Sequence, residues 1–145
     1  MLAIDKLVAL SGGTMVSDET ITLGWSLSGA NNATLARGSL RATDAASNVW
    51  NGPVVLASSV PRIGTEDNSS LTVAGPITDN GLNYGVLFRP GANSTVTVAG
   101  SGSAYAFTRT YGHGDGSGVI KLGAHDALST NRLELGLGSV DLNGF

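Results

Sequence analysis

Short alternations of apolar and polar residues, many closed by glycine, run along the whole chain. Val119-Ile120-Lys121-Leu122-Gly123, Leu133-Glu134-Leu135-Gly136 and Val140-Asp141-Leu142-Asn143-Gly144 are three of them. An alternation this short predicts a strand with one buried face, and the glycine after it predicts a tight corner. The same grammar occurs near the other end. Ile21-Thr22-Leu23-Gly24 matches Ile120-Lys121-Leu122-Gly123 at an offset of 99 residues. Asn31, Leu35 and Gly38-Ser39-Leu40 match Asn131, Leu135 and Gly138-Ser139-Val140 at an offset of 100. An internal repeat of this kind points to a stacked, quasi-linear architecture.

Further strands are predicted at 20–23, 33–35, 39–42, 49–50, 54–56, 62–63, 70–75, 84–88, 94–100 and 104–108. Ser70-Leu71-Thr72-Val73-Ala74-Gly75 and Ser94-Thr95-Val96-Thr97-Val98-Ala99-Gly100 are near-copies about one coil apart. Two all-β architectures compete, a β-sandwich or barrel and a right-handed parallel β-helix. A sandwich has no reason to repeat its pattern at such intervals. A β-helix coil has one, because equivalent positions lie over one another in successive turns. The expectation is a solenoid of six to seven coils, a rod roughly 30 Å long at the strand spacing of a sheet. Leu71, Val73, Val96, Val98, Ile120 and Leu122 should point inward, with Thr72, Thr97 and Lys121 outward. Residues 1–19 read as an N-terminal cap or first coil, with 2–10 either a short helix or a first strand. Residues 20–145 read as the repeat segment, a slice of a longer array.

Composition narrows the setting. Charged residues are 13% and hydrophobic residues 41% of the 145, with 21 glycines and no cysteine. Disulfides and zinc–thiolate sites are therefore excluded as staples. The formal net charge is −3, and the basic residues are scattered singly along the chain. No Lys/Arg cluster is expected to neutralise phosphates, so nucleic acid is not an expected partner. No apolar run is long enough to span a bilayer, and Asp5 and Lys6 interrupt the apolar start where a signal peptide would be continuous.

The stretch from Gly118-Val119-Ile120-Lys121-Leu122-Gly123-Ala124-His125-Asp126-Ala127-Leu128 to Val140-Asp141-Leu142-Asn143-Gly144-Phe145 resembles the autotransporter-associated β-strand repeat. The passage from Gly38-Ser39-Leu40 through Trp50-Asn51-Gly52-Pro53-Val54-Val55-Leu56 to Gly75 is similar to the same proteins. The likeness spans about 20–145, and its most specific part is the final Leu-Asn-Gly-Phe. It departs from the family at Asn83-Tyr84-Gly85-Val86-Leu87-Phe88-Arg89-Pro90-Gly91, which replaces a characteristic lysine and its glycines. The resemblance implies a β-helical passenger segment of a bacterial type V secretion protein, secreted or held at the cell surface. That family shares no catalytic residues that would transfer here.

Candidate chemistry is sparse. His113, Asp115, His125 and Asp126 form the one set that metal binding or acid–base work would draw on. Their glycine-rich surroundings read first as a solvated corner. Trp25, Trp50, Tyr84, Tyr105 and Tyr111 are candidate stacking platforms for glycans, against the plainer reading that they fill coil corners. Adjacent acidic pairs such as Asp18-Glu19 and Glu66-Asp67 point apart on a strand, unlike the converging carboxylates of a glycosidase. The expectation is a noncatalytic stalk, adhesin or self-associating scaffold with no cofactor. Its partners would be further copies end to end, or a cell-surface or polysaccharide ligand. The alternative is a carbohydrate-active β-helix that binds or cleaves polysaccharide.

Overall fold

The computed structural model describes residues 2–4, 8–24, 38–112, 115–129 and 131–145. All regular elements among them are short strands. The first turn holds β1 (Leu2–Ile4), β2 (Val8–Leu10) and β3 (Met15–Val16), so the start of the chain is strand rather than helix. The second holds β4 (Ile21–Leu23), β5 (Leu40–Ala42) and β6 (Ser47–Trp50), and the third β7 (Val54–Leu56), β8 (Arg62–Thr65) and β9 (Ser70–Val73). The fourth holds β10 (Ile77–Thr78), β11 (Gly85–Arg89) and β12 (Thr95–Val98). Then come β13 (Phe107–Thr110) with β14 (Val119–Leu122), and β15 (Leu133–Leu135) with β16 (Ser139–Asp141).

These strands stack into three sheets. The first is β1-β4-β7-β10, the second β2-β5-β8-β11-β13-β15, and the third β3-β6-β9-β12-β14-β16. Each neighbouring pair is parallel, which selects the β-helix over the sandwich. Four turns carry a strand on all three sides. Two further rungs extend the second and third sheets, while among the described residues the first continues only as a bridge between Thr78 and Ala104. The expected six to seven coils are thus four complete turns and two partial ones among the described residues. The difference arises because the polypeptide near Ala104 and beyond β14 crosses the first side without forming a ladder there.

Alternation sets the interior. On the third sheet Leu71, Val96 and Ile120 form one in-register column, and Val73, Val98 and Leu122 form another. All six are buried, while Thr72, Thr97 and Lys121 lie half-buried on the outer side. Ile21, Val54 and Ile77 stack on the first sheet; Leu40, Ile63 and Phe88 stack on the second. Removing each such side chain from water contributes about 1.5–3 kcal/mol. Asn48 takes the inward place above Leu71, and its amide is satisfied there. It donates to Asp44 Oδ1 and the Ala46 carbonyl at 2.9 Å each, and accepts from the Thr14 N–H at 3.1 Å.

Corners repeat as faithfully as strands. Asn68 and Asn93 sit at φ of 54° and 52°, the left-handed region that asparagine tolerates better than most residues. Between the third and first sheets, Gly52, Gly75 and Gly100 stack over one another. A Cβ on Gly75 would come within 2.0 Å of the Gly52 carbonyl oxygen, and one on Gly100 within 2.0 Å of that of Gly75. Only glycine permits backbones to approach so closely.

The offset of 99 to 100 residues does not join equivalent places. Ile21 lies on the first sheet and Ile120 on the third; Leu40 lies on the second and Val140 on the third. The matching segments share strand grammar, not phase. The structural repeat is the single coil, as in the pairing of Ser70–Val73 with Thr95–Val98. Asn31 and Leu35, and the strand expected at 33–35, lie outside the described residues.

Candidate functional site

Two surface features stand out from the stack. One is a polar cleft of about 420 Å³ where the first sheet gives way to bridges and corners. Thr78, Asp79, Asn83, Ser103, Ser129 and Asn131 contribute to its walls. Asp79 is buried, and both its oxygens hold backbone: Oδ1 accepts from the Gly81 N–H and Oδ2 from the Tyr84 N–H, at 2.8 Å each. Its carboxylate thus ties the corner that leads into β11, which is structural work. Ser129 Oγ donates to the Tyr105 carbonyl at 2.6 Å and closes the same wall.

The second feature is the outer side of the second sheet, and the sequence did not disclose it. Arg41, Arg62, Arg89 and Arg109 lie on β5, β8, β11 and β13, and Arg132 directly precedes β15. One arginine therefore stands on each of five successive rungs. Arg62 and Arg109 share a register column with Leu87 between them, and Arg41 and Arg89 share another with Gly64 between them. Leu87 faces outward in this register yet is only 9% exposed. Arginine stems on the rungs above and below are suited to covering it.

These guanidinium groups rest on rings and carboxylates. Arg89 lies over the Tyr111 ring at 5.7 Å, and its Nε donates to the Tyr111 carbonyl at 3.2 Å. Arg109 and Arg132 flank the Phe107 ring at 5.6 and 5.0 Å. The Glu134 carboxylate pairs with both Arg109 and Arg132, and Arg41 pairs with Glu66 at 2.7 Å. The hydrogen bond from Arg109 is the main cause holding the Glu134 carboxyl below the usual glutamate range; desolvation opposes it, and the charges of both arginines add to the lowering. Arg41 is buried; Arg62, Arg89 and Arg109 are half-buried; Arg132 is exposed.

The expected stacking platforms are dispersed by the fold. Trp50 is buried in the inward column above Val73, and its Nε1–H has no hydrogen-bond partner. Tyr105 is buried, with its hydroxyl 2.8 Å from Thr108 Oγ1, and burial raises its pKa above the ordinary tyrosine value. Neither ring offers a face to solvent, because each fills the interior. Tyr84 is half-buried against the core. Tyr111 is half exposed but lies beneath Arg89. Trp25 lies outside the described residues.

The histidine–aspartate set is likewise absorbed into corners. Asp115 Oδ1 accepts from the Ser117 hydroxyl and from its N–H, which lowers the Asp115 pKa. The His125 ring meets the Phe145 ring edge-on at 4.6 Å, and Asp126 occupies a left-handed corner at φ 55°. His113 lies outside the described residues. Among the described residues no three His, Asp or Glu side chains gather where a metal ion would bind, and no helix is long and apolar enough to cross a membrane.

The arginine row escaped the sequence reading because its members are 20–27 residues apart. That interval is about one coil, and it would have been the signal. Compared with protein families, curated proteins and solved structures, the chain finds no match.

Proposed function

We propose that this chain is a noncatalytic β-helical segment of a bacterial surface or secreted protein, serving as a stalk and adhesive scaffold. The observation that carries this reading is the continuous in-register stack. Inward columns such as Leu71–Val96–Ile120–Val140 run through successive rungs of the third sheet, so each turn supports the next. A structure whose turns contact mainly their neighbours extends by repetition and gives a long, stiff surface. The resemblance to autotransporter passenger repeats supports the same setting.

Labelling of the producing cells with an antibody raised against this segment tests the reading. Labelling of intact cells, or recovery of the segment in the medium, is the expected result. Signal that appears only after permeabilisation overturns it.

A second reading, polysaccharide recognition, is favoured by the polar cleft beside Asp79. It concerns binding rather than cleavage. The Asp79 carboxylate is already held by two backbone N–H groups, which leaves it poorly placed for proton transfer.

A further inference from the structure

The outer side of the second sheet carries one guanidinium per rung on the rungs of β8, β11, β13 and β15, from Arg62, Arg89, Arg109 and Arg132. Half of the chain's eight basic residues thus lie along one accessible strip of a protein whose net charge is −3. We infer that this strip binds a linear acidic polysaccharide that bears one carboxylate per sugar, laid along the solenoid axis.

Three observations lead there. The strip already holds carboxylates: Glu134 lies with Arg109 and Arg132, and Glu66 with Arg41. These are the charge-assisted pairs that the planar guanidinium fork forms best. Second, the arginines advance along the axis one rung at a time, about 4.8 Å. They are staggered across the sheet, with Arg62 and Arg109 in one register column and Arg89 and Arg132 two residues to either side of it. A pyranose unit in an extended chain advances by about that one rung. An extended peptide advances only about 3.3–3.6 Å per residue, and a stacked nucleic-acid strand about 3.4 Å per nucleotide. Both would lose step with the ladder within a few rungs. Third, the rings on this strip are engaged by the chain's own cations. Arg109 and Arg132 flank Phe107, and Arg89 covers Tyr111. These rings are therefore not open platforms for bases, and single-stranded nucleic acid depends on such platforms.

The inference adds a partner to the scaffold reading and is tested separately from it. Cell labelling tests location, and a binding assay on the purified chain tests the strip. The probes are sodium polygalacturonate, neutral dextran, poly-glutamate and oligo-dT, titrated by calorimetry at low salt. Polygalacturonate should bind, with affinity that weakens as salt is raised. The double variant Arg89→Ala/Arg132→Ala should weaken binding by about tenfold or more while its circular dichroism and unfolding midpoint stay within the range of the parent. Lys121→Ala, on the third sheet, should leave binding unchanged. Glu134→Gln removes the internal competitor for Arg109 and Arg132 and should tighten binding by roughly threefold. A merely structural ion pair would not produce that gain. Absence of polygalacturonate binding overturns the inference. So does equal or tighter binding of dextran, poly-glutamate or oligo-dT, or a folded double variant that binds like the parent.

Discussion

Val98 lies in register with Leu122 on the third sheet, one rung apart, and both side chains point into the core. Each forms part of the floor for the other. Truncating Val98 to alanine should destabilise the fold by about 1–4 kcal/mol, combining lost transfer energy with a residual cavity. Thr97→Ala, on the outer side of the same strand, should change stability by less than about 0.5 kcal/mol. Urea unfolding of both variants checks this. Equal midpoints would mean that the register is misassigned.

The glycine column predicts a sharper contrast. Gly75→Ala places a methyl group 2.0 Å from the Gly52 carbonyl oxygen, with the rung fixed on both sides. It should cost about 4 kcal/mol or more, among the large single-site effects. Gly81 has nothing within 4 Å of an added Cβ, so Gly81→Ala meets only the left-handed backbone at φ +78°. The cost there should be about 1–2 kcal/mol. Yield of soluble protein and thermal midpoints distinguish the two.

Acid should weaken the fold in a defined direction. Asp44 is lowered first by its hydrogen bond from the Gly12 N–H, Asp115 by Ser117, and Glu134 by Arg109. Folded-state values below the ordinary 3.8 and 4.5 mean that the unfolded chain takes up protons first as pH falls. The stabilisation is present at neutral pH and is lost as pH drops through 4.5 and then below 3.8. Glu134→Gln should flatten part of that decline. At the alkaline end, the raised pKa of Tyr105 keeps its phenol neutral in the folded state beyond 10.0, where the unfolded phenol ionises. Stability should therefore fall as pH rises past 10.0. Ultraviolet titration of the three tyrosines should show one that ionises late and loses that delay in denaturant.

Edge chemistry predicts self-association. β15 and β16 are edge strands of their sheets. Beside them Leu133, Leu135, Leu137 and Leu142 are 44–65% exposed. Edge N–H and C=O groups together with apolar side chains form a template for another strand. Either a continuation of the array after residue 145 or, for the 145-residue chain by itself, a second copy stacked on this edge would bury both. Sedimentation across a concentration series should show mass increasing with concentration, and Leu135→Glu should suppress it. A monomer at all concentrations would refute the association.

Much of the fold was legible because alternation in a short strand is a local property. Leu71-Thr72-Val73 and Val96-Thr97-Val98 announce which side chains turn inward without reference to any neighbour. Their recurrence after about one coil selected a parallel stack, since a sandwich imposes no such interval. Asparagine, aspartate and glycine marked the corners through their own backbone preferences. The sequence alone therefore determined strand, face and corner. Phase belonged to the tertiary structure. Coils differ in length, so distance along the chain does not state which sheet a strand joins, and Ile21 and Ile120 fall on different sheets despite matching neighbours. For the same reason five arginines that are solitary in sequence become one strip. Trp50 and Tyr105, polar-edged aromatics suited to either surface or core, are buried because their rungs turn them inward. Such assignments depend on summed coil lengths and on what packs above and below, and no local pattern encodes them.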